Sequence, residues 1–524
     1  MTKLSLATAL ILGTAVFAQA ADDLASAFKE GKLEGRIRIN SINTDWNKNS
    51  DWDKNGAKPD GDSKGMAVGG SLIYQTAPLY GISAGVGFYT TQSLGVFTDD
   101  AEDAGSSTNT TKGTKATTGA DLFARGPGAK ASWSEGYSVL AQSYLQYEIA
   151  KSKIKGGRFL MTNPWINPND TKMIPIVVEG ASFVSNDIKN TTIQLDLASK
   201  IKERGMTYFG NMADTGDTPD AIKNYYRTHY TATVNASNVL GVGQTTIGNG
   251  YGSGGEAPGV AVLGVTNKSI NALELQAWFM EWQDIVNQGR IEANYALPAG
   301  DVILSFGARY MQQWDTGAGD IIMPKDGDNY SKLGVTNTAP TGTSAIAVSK
   351  KGDNNNKVDT NLYALRAAAT YGAAKLMLAY SHTDKGGDII APWRGFPTDG
   401  YTRSMTQTDW NANTSAYKVQ LDYDLNQYIS GLTTVLSYSF YDRDTSKIGY
   451  ASQTDRYYGN GDTNQYNADV IYKVPAVKNL ELKARYMVQQ NQVVSNLYAA
   501  NSASQGFSND TSNHELRLEA NYRF

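Results

Sequence analysis

No cysteine occurs in the 524 residues, and histidine (3) and proline (14) are scarce. Without cysteine there can be no disulfide and no thiolate-bound metal, and His229, His382 and His514 are too scattered for a zinc cluster. His382 with Asp384 is the one pair that could serve a hydrolase, but no serine nucleophile motif accompanies it, so no enzyme is expected. The formal charge is only −4, which excludes bulk attraction to nucleic acid. The glycine-rich "GVGQTTIGNGYGSGG" lacks the Lys-Ser/Thr pair of a phosphate loop. Long apolar runs are missing too, apart from Leu4 to Ala20. That run follows Lys3 and closes on Ala18-Gln19-Ala20, the pattern of a secretory signal peptide over residues 1–20.

What is abundant fits an exported chain that must hold together without disulfides. There are 31 tyrosines, 9 tryptophans and 52 glycines, with many Asn and Thr, and mean hydropathy is −0.40. This composition suggests an all-β protein.

Alternation is the dominant pattern. In "HELRLEANYRF", Leu516, Leu518, Ala520, Tyr522 and Phe524 share one face, and Glu515, Arg517, Glu519, Asn521 and Arg523 the other. "NLELKARYMVQQ", "AYKVQLDYDL", "NLYALRAAATYG" and "LEGRIRIN" repeat the scheme. A period of two over such lengths means strands with one dry and one wet face. Tyrosines near both ends of the dry faces, as Tyr363 with Tyr371 and Tyr417 with Tyr423, suit the two interfaces of a lipid-facing wall.

The breaks between strands alternate short and long. Short ones include Ala77 to Gly81, Ala150 to Ser152, Asn186 to Asn190, Pro298 to Gly300, Gly372 to Ala374 and Pro475 to Asn479. Long polar stretches fall at about 43–65, 92–136, 162–176, 202–256, 316–360, 386–414 and 491–512. A compact soluble domain rarely carries such loops, whereas an outer-membrane barrel has tight periplasmic turns and long outer loops. The reading is therefore a transmembrane antiparallel β-barrel spanning residues 21–524 in the outer membrane of a Gram-negative bacterium. Eighteen strands are expected, starting near Lys32, Met66, Ile82, Ser138, Ser152, Val177, Thr191, Gly259, Leu273, Gln288, Val302, Asn361, Lys375, Ala416, Leu432, Asn464, Leu480 and Asn513. Sixteen is the alternative count. A closed barrel has no free edge, so the last strand should pair with the first and set Phe524 at the periplasmic interface. The ending also resembles the aromatic signal recognised by the barrel assembly machinery.

If the dry faces meet lipid and lipopolysaccharide, the charged faces line a lumen. Arg36, Arg38, Lys483, Arg485 and Arg517 lie on three strands that closure makes neighbours, a candidate basic ladder for carboxylate-bearing solutes. Glu34, Glu481, Glu515 and Glu519 are interspersed, so a self-neutralised brace is an equal reading. Arg290, Arg309 and Arg366 also face inward by parity. The segment "TNPWINPNDTKMIPIV" (Thr162 to Val177) has three prolines and apolar Trp165, Ile166, Met173 and Ile174. It is expected to fold into the lumen as a constriction, with Trp165, Asp170, Lys172 and Glu179 as its residues; packing against a neighbouring subunit is the alternative.

"NDTKMIPIVVEG" (Asn169 to Gly180) resembles the inward-folded loop of the porin D (OprD-like) family of substrate-specific outer-membrane channels. Lys172 stands where that family has Arg, and Val178 where an aromatic is usual. "SHTDKGGDI" and "AYKVQLDYDL" resemble its late strands, and Gly386 to Thr414 its second constricting loop. The resemblance implies eighteen strands, a basic ladder along one wall, and passive diffusion of small carboxylate-bearing solutes such as amino or organic acids. A non-conducting adhesin or structural barrel is the rival function.

No cofactor is expected in the barrel itself. One outer loop, "DWDKNGAKPDGD", places Asp51, Asp53, Asn55 and Asp62 at calcium-ligand spacing, with Asp rather than Glu in the last position. Trimers are common for such channels; the sequence neither requires nor excludes a homotrimer.

Overall fold

A computed structural model describes residues 21–46, 63–94, 122–123, 136–215, 222, 259–318, 358–393, 400–406, 409–443, 461–491 and 512–524. The expected signal peptide and the calcium-like residues Asp51, Asp53, Asn55 and Asp62 lie outside the described residues.

The strands are β1 (Lys32–Trp46), β2 (Ser63–Gln75), β3 (Ile82–Ser93), β4 (Tyr137–Ile149), β5 (Ser152–Phe159) and β6 (Val177–Ser185). They continue as β7 (Thr191–Lys202), β8 (Val260–Asn267), β9 (Leu273–Trp282), β10 (Val286–Ala299), β11 (Val302–Asp315) and β12 (Thr360–Tyr371). The last six are β13 (Ala374–Thr383), β14 (Thr414–Asp424), β15 (Leu432–Arg443), β16 (Thr463–Lys473), β17 (Leu480–Asn491) and β18 (Asn513–Arg523). Each pairs antiparallel with its neighbours, and β18 pairs with β1, so the sheet closes as an eighteen-stranded barrel. A stub, Gly210–Asn211, adds a short pairing to the end of β7. Every expected strand is present within three residues of its expected start.

At the seam Phe524 is bonded to β1. The Phe524 N–H donates to the Gly35 carbonyl at 3.0 Å, and the Gly35 N–H donates to the Phe524 carbonyl at 2.8 Å. A Cβ on Gly35 would lie 2.2 Å from the Phe524 ring, so glycine makes room for the terminal aromatic on the outer face. Tyr522 stacks on Phe524, centroids 6.1 Å apart, extending the lower aromatic belt.

Sidedness follows the alternation. Ile37 and Ile39, Leu436 and Tyr438, Leu482 and Tyr486, and Leu516 and Leu518 are exposed outward, while Arg38, Ser439, Met487 and Glu515 between or beside them are buried. Such a continuous apolar wall is stable only against hydrocarbon. An upper belt of rings runs Tyr363–Tyr380–Tyr417–Phe440 and Tyr438–Tyr466, with centroids 5.0–6.3 Å apart. Among the described residues no helix is long and apolar enough to cross a membrane. A short helix, α1 (Leu24–Lys29), sits ahead of β1, its N-terminus capped by Asp23, which accepts the Ser26 N–H at 2.7 Å.

Two outer connections differ from expectation. The link between β9 and β10 is only residues 283–285, and a further long one, 444–462, separates β15 from β16. Inside the barrel, buried Trp165, Ile166, Trp282, Ile285, Ile390 and Trp393 form one apolar cluster, so loops and wall pack into a shared lumenal core.

Candidate functional site: the lumenal constriction and its charged walls

β5 stops after eight residues, and the chain then turns into the barrel. Asn163 makes the turn. Its Oδ1 accepts the N–H groups of Trp165 (3.0 Å) and Ile166 (2.8 Å), and its Nδ2 donates to Asp196 of β7 at 2.9 Å. Gln194 donates to the Thr162 carbonyl at 2.9 Å. Pro164, Pro168 and Pro175 keep the segment out of any ladder. Trp165, Ile166, Met173 and Ile174 are buried, so the loop is fastened by its apolar side chains.

Its tip crosses to β1. Asp170 pairs with both Nη nitrogens of Arg36 and with Arg38 Nη1 at 2.9 Å. Arg38 also donates to the carbonyls of Asp170 (3.2 Å) and Lys172, and its Nε to Asn521 of β18 at 2.6 Å. Lys172 is buried.

From this contact the cations continue along the seam. Arg517 pairs with Glu515, which accepts the Thr44 hydroxyl at 3.0 Å. Arg485 grips Asp469 of β16 with Nε (3.0 Å) and Nη2 (2.7 Å), and Lys483 stands 3.8 Å from the same carboxylate. The five are not alike. Arg38 and Arg36 are 3% and 9% exposed, held by the loop, whereas Lys483 and Arg485 are 20% and 23% exposed on the wet face. One wall thus combines a brace with a stretch of solvent-facing cations.

Arg290, Arg309 and Arg366 gather on another part of the wall. Glu292 sits between Arg290 and Arg309, accepting the Arg309 Nε at 2.8 Å. Tyr401, from the second inward loop, donates its hydroxyl to Glu292 at 2.9 Å. Its ring lies under the guanidinium carbons of Arg309 (4.5 Å) and Arg366 (4.7 Å). Burial, and then the Glu292 carboxylate, push the Tyr401 phenol above its ordinary range, so it stays a donor. A Cβ on Gly307 would lie 2.6 Å from the Tyr401 hydroxyl; the glycine leaves space for the latch. A small pocket opens between the two inward loops, lined by Trp165, Arg290, Arg309 and Trp410.

One expected constriction residue is elsewhere. Glu179 lies in β6, outside the loop, paired across the strands with Arg158 and Lys200. The β-ladder resumes at Val177, so the motif runs past the loop into the wall. Sequence reasoning also missed Asp469, Glu292, Asn163 and Tyr401. The first two were readable by parity, each inward between outward neighbours; the other two sit in loops, where no period marks them.

The family model described as outer membrane porin, OprD family, matches residues 88–523, and the chain belongs to that family. The fold is that of solved family structures. Pseudomonas aeruginosa OpdK, solved with vanillate, is 12% identical with a TM-score of 0.61, covering 95% of this chain and 99% of that one. Acinetobacter baumannii OccAB2 is 16% identical with a TM-score of 0.62 over the same shares. Pseudomonas aeruginosa OccK2 (OpdF), in complex with glucuronate, is 14% identical with a TM-score of 0.58, covering 95% and 98%. No curated protein sequence matches the chain. It is an outer-membrane porin of Gram-negative type, a channel for small solutes.

Proposed function

We propose that this OprD-family porin favours small solutes bearing a carboxylate. The observation that carries the reading is the pair Lys483 and Arg485, water-facing at about a fifth exposure on the seam wall whose first strand the inward-folded loop reaches. Arg485 is held flat by its two-nitrogen grip on Asp469 and presents its remaining edge to the lumen. A fixed guanidinium suits the two oxygens of a carboxylate, and in a narrow, poorly screened passage its field reaches further than in bulk water. Arg517 continues the track toward Arg36, where Asp170 stands as a built-in carboxylate that an incoming one exchanges with. Arg38 serves as brace, consistent with its burial. No bond is made or broken in this passage. Vanillate and glucuronate, in the relatives' structures, are both carboxylates, which supports the reading.

Liposome swelling tests it. Paired solutes of equal size, one carboxylate and one neutral, should separate, with the carboxylate entering faster. Equal rates for both would remove the preference; no swelling with any solute would favour a non-conducting barrel.

A further inference from the structure

The outer wall is apolar around most of its circumference, but one row departs from this. Arg158 on β5, Glu179 on β6 and Lys200 on β7 are cross-strand partners in register, following Ser143 on β4. They share the parity of outward Leu145 and Ile154, so they point away from the lumen. Glu179 accepts the Arg158 Nε at 2.8 Å with one oxygen and the Lys200 Nζ at 2.9 Å with the other. The Phe209 ring lies 4.2 Å from the Arg158 guanidinium carbon and fixes its plane. Arg158 is 42% exposed and Lys200 50%.

Height decides what the row meets. Arg158 is six residues past Ser152, the foot of its strand. Tyr380 and Tyr438 of the upper aromatic belt are likewise six residues past Ala374 and Leu432. The charged row therefore stands where hydrocarbon gives way to outer-leaflet headgroups, the level at which a cation on the outer face ceases to be costly.

We propose that Arg158, Glu179 and Lys200 form a docking site on the outer wall for the phosphates of lipopolysaccharide. Both Glu179 oxygens are occupied, so the carboxylate spaces two parallel cations and leaves a net positive charge. Glu179 engages only the Nε of Arg158 and one N–H of Lys200, so the Nη groups and the rest of the ammonium on these exposed side chains are the donors matched to phosphate oxygens. A second copy presenting the same row would bring two cations and one carboxylate against another such set, and this like-charge repulsion favours an anionic lipid over self-association. The proposal rests on the outer-membrane location alone, so it stands or falls apart from the solute preference.

The test compares the full-length folded protein with the double variant Arg158→Gln/Lys200→Gln, and with Lys200→Gln alone should the double variant not fold. Heat-modifiable gel migration reports folding. Retention of purified lipopolysaccharide is read by native mass spectrometry, with dephosphorylated lipopolysaccharide as the second probe. The double variant should bind about tenfold more weakly, the single variant should fall between, and the dephosphorylated lipid should bind the native protein as weakly as intact lipid binds the double variant. Equal retention by native protein and variants, equal binding of both lipids, or loss of cross-linked oligomers with lipid retention unchanged would each overturn it, the last by assigning the row to contact between copies.

Discussion

The Asp170 carboxylate lies 2.9 Å from Arg38 Nη1, joining the tip of the inward loop to the first strand of the barrel across 132 residues of chain. The same carboxylate pairs with Arg36, so the loop neutralises the inner end of the cationic track it helps to narrow. Constriction and charge are therefore set by one contact.

Asp170→Asn should uncover two guanidinium charges while keeping the loop's shape. Anion preference in planar bilayers should rise, and small carboxylates should dwell longer in the channel. Current recordings indistinguishable from native would show that Asp170 has no electrostatic part in passage.

Arg38→Gln should act on the loop instead. Arg38 is buried and holds two loop carbonyls together with Asp170, and a hydrogen bond to a charged group contributes about 1.5–3 kcal/mol. Unfolding in denaturant should become easier by roughly 2 kcal/mol, with noisier open-channel current. Unchanged stability would argue that the tip is held by its apolar residues alone.

How much of this was legible beforehand depends on period. β1, β17 and β18 announce their faces in every second residue, which is why the inward Arg36, Arg485 and Arg517 and the closing role of Phe524 could be named from the chain alone. Contacts between distant segments carry no such mark. Nothing local in "NDTK" pairs Asp170 with β1, and Tyr401 meets Glu292 from a loop 109 residues away. Glu179 was misplaced because a motif runs on across a structural boundary: three prolines end at Pro175, and the wall resumes two residues later. Asp469 was readable, since it alternates with Ala468 and Val470, but attention to cations alone passes over the acids that hold them.

Tyr401→Phe should loosen the second inward loop by removing the donor to the Glu292 carboxylate, at about 1.5–3 kcal/mol. Because burial raises the phenol above its ordinary value, protonation is favoured in the folded state. The stability difference from native should be constant below pH ~10 and fade as pH rises through the phenol's folded value. Chemical denaturation across that range checks it; a gap that widens with pH would refute the assignment.

Asn163→Ala removes the side chain that turns the chain inward after β5 and takes one donor from buried Asp196, which keeps those of Ser182 and Gln194. The loop should swing more freely, and single-channel conductance should increase. Unaltered conductance with unaltered stability would mean that the prolines and Trp165 suffice to direct it.

The most direct test of the whole account is the zero-current potential across a bilayer under a salt gradient, measured for native protein and for Lys483→Gln/Arg485→Gln. The native channel should prefer anions, and the double variant should move toward cation preference as Asp469 and Glu519 are left to dominate the wall. An identical zero-current potential in the two proteins would contradict the claim that these solvent-facing cations select what passes.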